Sequence, residues 1–134
     1  MRDPRHATLR SMPFLRRSSL LAACLFCAQC GGNPSEPTAP AAATITITTA
    51  GVVPKEITVP SGSRVMFVNN DSQSHAMSSD PVQVHNDCPG INAVGTLSPG
   101  QSKSTSILTT VRTCGFHDHT REFEEAWKGR IIVN

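Results

Sequence analysis

"EITVPSGSRVMFVNND", residues 56–71, decides the fold. Val65, Phe67 and the residues between them are β-formers, and the turn signals at 60–62 and 69–71 bracket them, so the stretch reads as a short strand ending at Asn70. Upstream, "TITITT" (residues 44–49) alternates strictly and sets Ile45 and Ile47 on one face. Downstream, "LSPGQS" (97–102) is another turn, and "KSTSILTTV" (103–111) and "GRIIVN" (129–134) supply two late strands. Only "TREFEEAW" (120–127) offers a helical period, and it is brief. Short strands separated by Gly/Pro turns indicate an all-β sandwich or barrel.

The chain has 134 residues and a formal charge of +2. That charge is too weak for a nucleic-acid footprint, and much of its basic part lies in Arg2, Arg5, Arg10, Arg16 and Arg17 against Asp3 alone. These arginines precede "SSLLAACLFCAQC" (18–30), an apolar run too short to span a bilayer, which reads as the hydrophobic region of a signal peptide. The segment looks like a bacterial lipoprotein signal over residues 1–30. Two cysteines compete for the lipid: Cys24 closes "LAAC", and Cys30 precedes a tether-like stretch but follows an unsuitable Gln29. Residues 31–43, rich in Gly, Pro, Ala, Ser and Thr, form a flexible linker, and 44–134 form the domain. The expected product is exported, held on the periplasmic side of a bacterial membrane or secreted, and monomeric.

Four of the five histidines fall in the expected loops. His75 follows the strand that ends at Asn70. His85 and Cys88 lie in residues 77–94, which lack alternation and read as a functional loop. Cys114, His117 and His119 lie in "TCGFHDHT" (113–120), read as a loop between the last two strands. Thiolate with imidazole suits copper or zinc, and a His₂Cys set with a weak axial ligand is the blue-copper arrangement. Met77 is a candidate soft axial ligand, and Asp118 a candidate for orienting an imidazole. Trp127 and "EFEE" (122–125) are assigned to covering one end of the sandwich.

"VPKEITVPSGSRVMFVNNDSQSHAM" (53–77), together with "CGFHDH" (114–119) and "WKGRIIVN" (127–134), resembles the cupredoxin family over about residues 44–134. The resemblance implies a Greek-key β-sandwich with copper at one end. Position by position, it implies His75 as the first histidine ligand, Cys114 as the thiolate and His117 as the second histidine. No methionine follows His117; His119 and Glu122 stand in that neighbourhood instead. "HDH" and "HNDCP" (85–89) look closer to an exported cupredoxin-like subgroup.

If Cys30 carries the lipid, the domain keeps only Cys88 and Cys114, an even pair in an oxidising compartment. A disulfide between them would contribute ~3 kcal/mol in the chain-entropy model. It would leave His75, His85, His117 and His119 as the ligand candidates. Two readings therefore stand open: a Cys114 thiolate on copper, or a Cys88–Cys114 disulfide beside a histidine site. Either way the expectation is a membrane-tethered copper-binding protein that is not an enzyme. It would serve electron transfer or copper handling, work with a redox or copper-trafficking protein, and take zinc as the other candidate metal. The alternative is a metal-free structural or partner-binding module.

Overall fold

The computed structural model describes residues 40–134, so the signal peptide, Cys24, Cys30 and most of the linker lie outside the described residues. Nine strands follow: β1 (Ala43–Thr48), β2 (Gly51–Val53), β3 (Glu56–Val59), β4 (Val65–Asn69), β5 (His75–Ser79), β6 (Gly95–Leu97), β7 (Ser102–Ser104), β8 (Arg112–Asp118) and β9 (Lys128–Val133). They form one sheet of order β2-β1-β4-β7 and another of order β3-β9-β8-β5-β6. Within them β1 runs parallel to β4 and β3 parallel to β9, while the other pairs are antiparallel. The fold is the expected β-sandwich.

Alternation along the strands builds the core. Ile45 and Ile47 of β1 and Val65 and Phe67 of β4 are fully buried, as are Met77, Phe116 and Ile131 of the other sheet. Phe67 and Phe116 meet edge to face across the sandwich at 5.2 Å, a pairing worth ~1 kcal/mol beyond the area it buries. Asn69 ends β4 as a buried polar knot. Its amide donates to the carbonyls of Gln73 (2.8 Å) and Leu97 (3.0 Å), and its oxygen accepts from the Asp71 N–H (2.9 Å). Those bonds fix the turn that delivers His75 to β5.

Three elements differ from the sequence expectation. The strand in 103–111 stops at Ser104. Thr105 is buried with its hydroxyl accepting from the Val65 N–H (3.1 Å), and Leu108 turns toward the core. The "TREFEEAW" segment holds one 3-10 turn, Glu125–Trp127, and no α-helix. Successive tight turns there swing Trp127 inward immediately before β9. Finally, Cys114, His117 and Asp118 lie in β8 rather than on a loop, because that segment is paired with β5 on one side and β9 on the other.

Candidate metal centre

Successive side chains of a strand point to opposite sheet faces. In β8 this puts Cys114, Phe116 and Asp118 on the inner face, and Gly115 and His117 on the outer one. In β5 it puts His75, Met77 and Ser79 inside. The family-implied set of His75, Cys114 and His117 is therefore divided by the sheet itself. A Cys-x₂-His pair on a strand, being three apart, cannot converge from one side.

Each member of that set has a definite local fate. The Cys114 sulfur is bonded to Cys88, with Cα atoms 5.6 Å apart, within the span such a bond needs. A disulfide sulfur carries no thiolate charge to give a metal, so the expectation of a Cys114 ligand is corrected in favour of the disulfide reading. His75 is fully buried with Nδ1 2.6 Å from Asp118 Oδ2 and Nε2 3.0 Å from Asp71 Oδ2. Trp127 stacks on its ring at 4.5 Å, and the Arg121 guanidinium lies 4.5 Å over the indole. Both nitrogens of His75 are held against carboxylates, so it has no lone pair open to an ion. Met77 packs in the apolar core rather than beside an ion site.

Burial alone pushes the Asp118 carboxyl up. The hydrogen bond with His75, with those from the Ala76 amide and from Thr120, outweighs it and holds the group below its ordinary value. Asp71 behaves alike: desolvation raises it, and the contact with His75 and the Ser72 amide bring it down. Asp118 thus orients an imidazole as expected, but the imidazole is that of His75.

On the outer face, His85, His117 and His119 converge, with one ring nitrogen from each lying within 4.8 Å of the others. His117 and His119 are two apart along the strand direction, and that spacing sets them on the same side. The His119 N–H continues the ladder by donating to the Ala76 carbonyl (2.7 Å). His85 arrives from the loop after β5. Its backbone is in the left-handed region, at φ 49°, where a non-glycine residue needs fixing by its neighbours. Here its N–H donates to the Pro81 carbonyl (2.8 Å), and its carbonyl accepts from the Asn92 amide (2.8 Å).

The polarity of this cluster is the reverse of that around His75. His117 is fully buried, and its Nδ1–H donates to Asp80 Oδ1 at 2.7 Å. That bond fixes the tautomer and turns the Nε2 lone pair toward the other two rings. The Nε2 atoms of His117 and His85 are both buried without any hydrogen-bond partner. A buried polar atom left without a partner costs ~1–3 kcal/mol, and two of them within one cluster of imidazoles suit a cation. His119, half exposed, closes the set from the solvent side, with Glu122 3.6 Å from its Nδ1. Three imidazoles form a donor set that suits Cu(II) or Zn(II), so the residues present fit a bound metal.

Asp80 escaped sequence reasoning, as did its seat. A Cβ on Gly115 would lie 2.1 Å from Asp80 Oδ2, so only glycine leaves room for the carboxylate over β8. An aspartate ending a strand gives no periodic signal, and its role follows only from the pairing of β5 with β8.

A family model described as a cupredoxin-like domain matches residues 18–133. Among solved structures, a novel purple cupredoxin from Nitrosopumilus maritimus aligns at 18% identity and TM-score 0.54, covering 69% of this chain and 99% of that one. The reduced state of an amicyanin variant aligns at 20% identity and TM-score 0.56, covering 72% and 85%. A dithionite-reduced auracyanin from Roseiflexus castenholzii aligns at 23% identity and TM-score 0.51, covering 69% and 95%. No curated protein matches the chain by sequence.

Proposed function

The chain belongs to the cupredoxin-like family, and from that premise we propose that it is an exported, lipid-tethered copper-binding protein whose ion is held by His85, His117 and His119. The observation that carries this reading is the pair of buried, unpartnered Nε2 atoms on His85 and His117. In this arrangement Asp80 keeps the proton on His117 Nδ1, the loop after β5 presents His85, and half-exposed His119 faces the side from which an ion arrives. Bound copper would supply either a one-electron couple or a cargo to be passed on.

The all-imidazole set separates the two roles. The disulfide withholds the thiolate that strong blue colour requires, so the reading favours copper binding and delivery over fast electron carriage. Zinc fits the same donors and is the alternative metal. A carrier role rather than catalysis is part of this reading, since the described residues gather one His cluster of candidate ligands. The redox or copper-trafficking partner, the lipid on Cys24 or Cys30 and the periplasmic location stay part of this proposal.

The test is to load the purified protein with Cu(II) without reductant, then count free thiols and record visible and EPR spectra on one sample. The expected result is an unreactive Cys88–Cys114 pair, weak colour and imidazole nitrogen hyperfine structure that disappears in His117→Ala. An intense thiolate-to-copper band, or copper retained unchanged by His117→Ala, would overturn the assignment. A protein that keeps no metal after dialysis would point to the metal-free module.

A further inference from the structure

The segment 81–87 is an arch whose two feet stand on neighbouring residues of β8. At one foot the Asp80 N–H donates to the Gly115 carbonyl (3.0 Å), and at the other Cys88 is bonded to Cys114. The Asp87 N–H closes the base on the Asp80 carbonyl (2.9 Å). His85 is carried by this arch three residues before Cys88, and His117 lies three residues after Cys114. The disulfide is therefore the covalent element that fixes the segment bearing one histidine to the strand bearing another.

The bond is reachable from outside. A groove of about 170 Å³ is lined by Cys88, Pro89, Leu108, Thr110, Arg112 and Cys114. Cys88 is 7% exposed and Cys114 1%, so Cys88 is the more accessible of the two residues. Arg112 and Asp87, ion-paired at 3.0 Å, also line that groove.

We infer that the Cys88–Cys114 disulfide is a thiol-exchange switch controlling the histidine cluster: reduction by a dithiol of the Cys-x-x-Cys class frees the arch, withdraws His85 and releases the metal. This rests on the assignment of His85, His117 and His119 as ligands. In the exchange, a thiolate of the donor bonds to the Cys88 sulfur and Cys114 leaves as thiolate. The donor's second thiol then displaces Cys88 from the mixed disulfide. Two electrons and two protons pass to the Cys88–Cys114 pair, and the donor ends as a disulfide.

Reduction leaves the sandwich standing, because Ile91, just beyond Cys88, stays anchored in the core. What it removes is the covalent foot, leaving the arch on a few hydrogen bonds worth ~1 kcal/mol each. The Cys114 thiol does not take the place of His85, since it faces inward while the cluster lies outside.

The experiment measures Cu(II) affinity by chelator competition, without thiols, for the oxidised protein, for Cys88→Ala with Cys114→Ala, for His85→Ala, and for the three substitutions together. Loss of the disulfide is expected to weaken binding at least tenfold. The triple variant should bind no more weakly than His85→Ala alone, because both changes act through the same ligand. In parallel, a dithiol should reduce the folded oxidised protein without denaturant, with far-UV circular dichroism unchanged and bound Zn(II), a redox-silent probe, released to a chromophoric chelator. Equal copper affinity with and without the disulfide, while His85→Ala still weakens binding, overturns the switch and leaves the histidine site intact. A disulfide that resists reduction until the protein unfolds also overturns it. No binding by the oxidised protein removes the site and the switch together.

Discussion

His75 and His117 lie on adjacent strands, both fully buried, and their surroundings have opposite polarity. His75, on the inner face, meets a carboxylate at each nitrogen and lies under Trp127. His117, on the outer face, meets one carboxylate at Nδ1 and leaves Nε2 bare. The comparison teaches that burial of a histidine says little about ligation. What matters is whether a lone pair is left over once the neighbours have been satisfied. The first arrangement is a structural lock, and the second leaves a ring nitrogen free for the proposed ion.

Five substitutions can break or sharpen that contrast. His75→Ala leaves Asp118 Oδ2 and Asp71 Oδ2 facing a cavity without the ring that holds them, and it should cost ~3–5 kcal/mol of stability, the usual penalty for breaking a buried pair. Urea unfolding should register this loss, while copper stoichiometry stays at that of the parent. If His75→Ala abolished copper binding and spared stability, the roles would be exchanged.

His117→Ala should do the reverse. Copper affinity should fall by at least ~100-fold, beyond what loss of an outer-shell partner alone can cause, with a urea midpoint close to the parent's. Next, Asp80→Ala removes the acceptor that orients His117 and should weaken Cu(II) binding ~10–100-fold. Gly115→Ala, whose Cβ would collide with the Asp80 carboxylate, should shift affinity in the same direction. Chelator competition read by EPR checks both.

The smallest effect is on pH dependence. The Asp118 carboxyl is held below its ordinary value of 3.8, so its contribution to stability is complete above that value and is lost as pH falls through the lowered one. Asp118→Asn should therefore flatten the acid limb of the stability profile below about pH 4 and leave the neutral limb parallel to the parent's. Thermal melts across the acid range measure it. An unchanged acid limb would mean that the His75–Asp118 contact adds nothing to folding.

Much of the fold was legible in local pattern. "TITITT" gave the buried pair Ile45 and Ile47, "SRVMFVNN" gave β4, the turn at 60–62 falls between strands, and that expected at 97–102 occupies 98–101 between β6 and β7. The site was less so. His75, His85, Cys88, Cys114, His117 and His119 were all candidates from the residues, and the resemblance singled out His75, Cys114 and His117, of which His117 alone lies in the cluster. The reason is that "CGFHDH" contains no run of β-formers, and nothing local announces that it is a strand paired on both sides.

The sequence by itself determined that this is a small all-β domain with histidines concentrated in its second half, since those features follow from side-chain alternation, turn chemistry and composition. It also limited the late cysteines to an even pair if Cys30 takes the lipid. Only tertiary structure decided which histidines share a site. Face, and so ligation, depends on strand register and on the loop that folds back from β5. Both are set by pairing between segments about forty residues apart, whose contacts no local window of the chain contains.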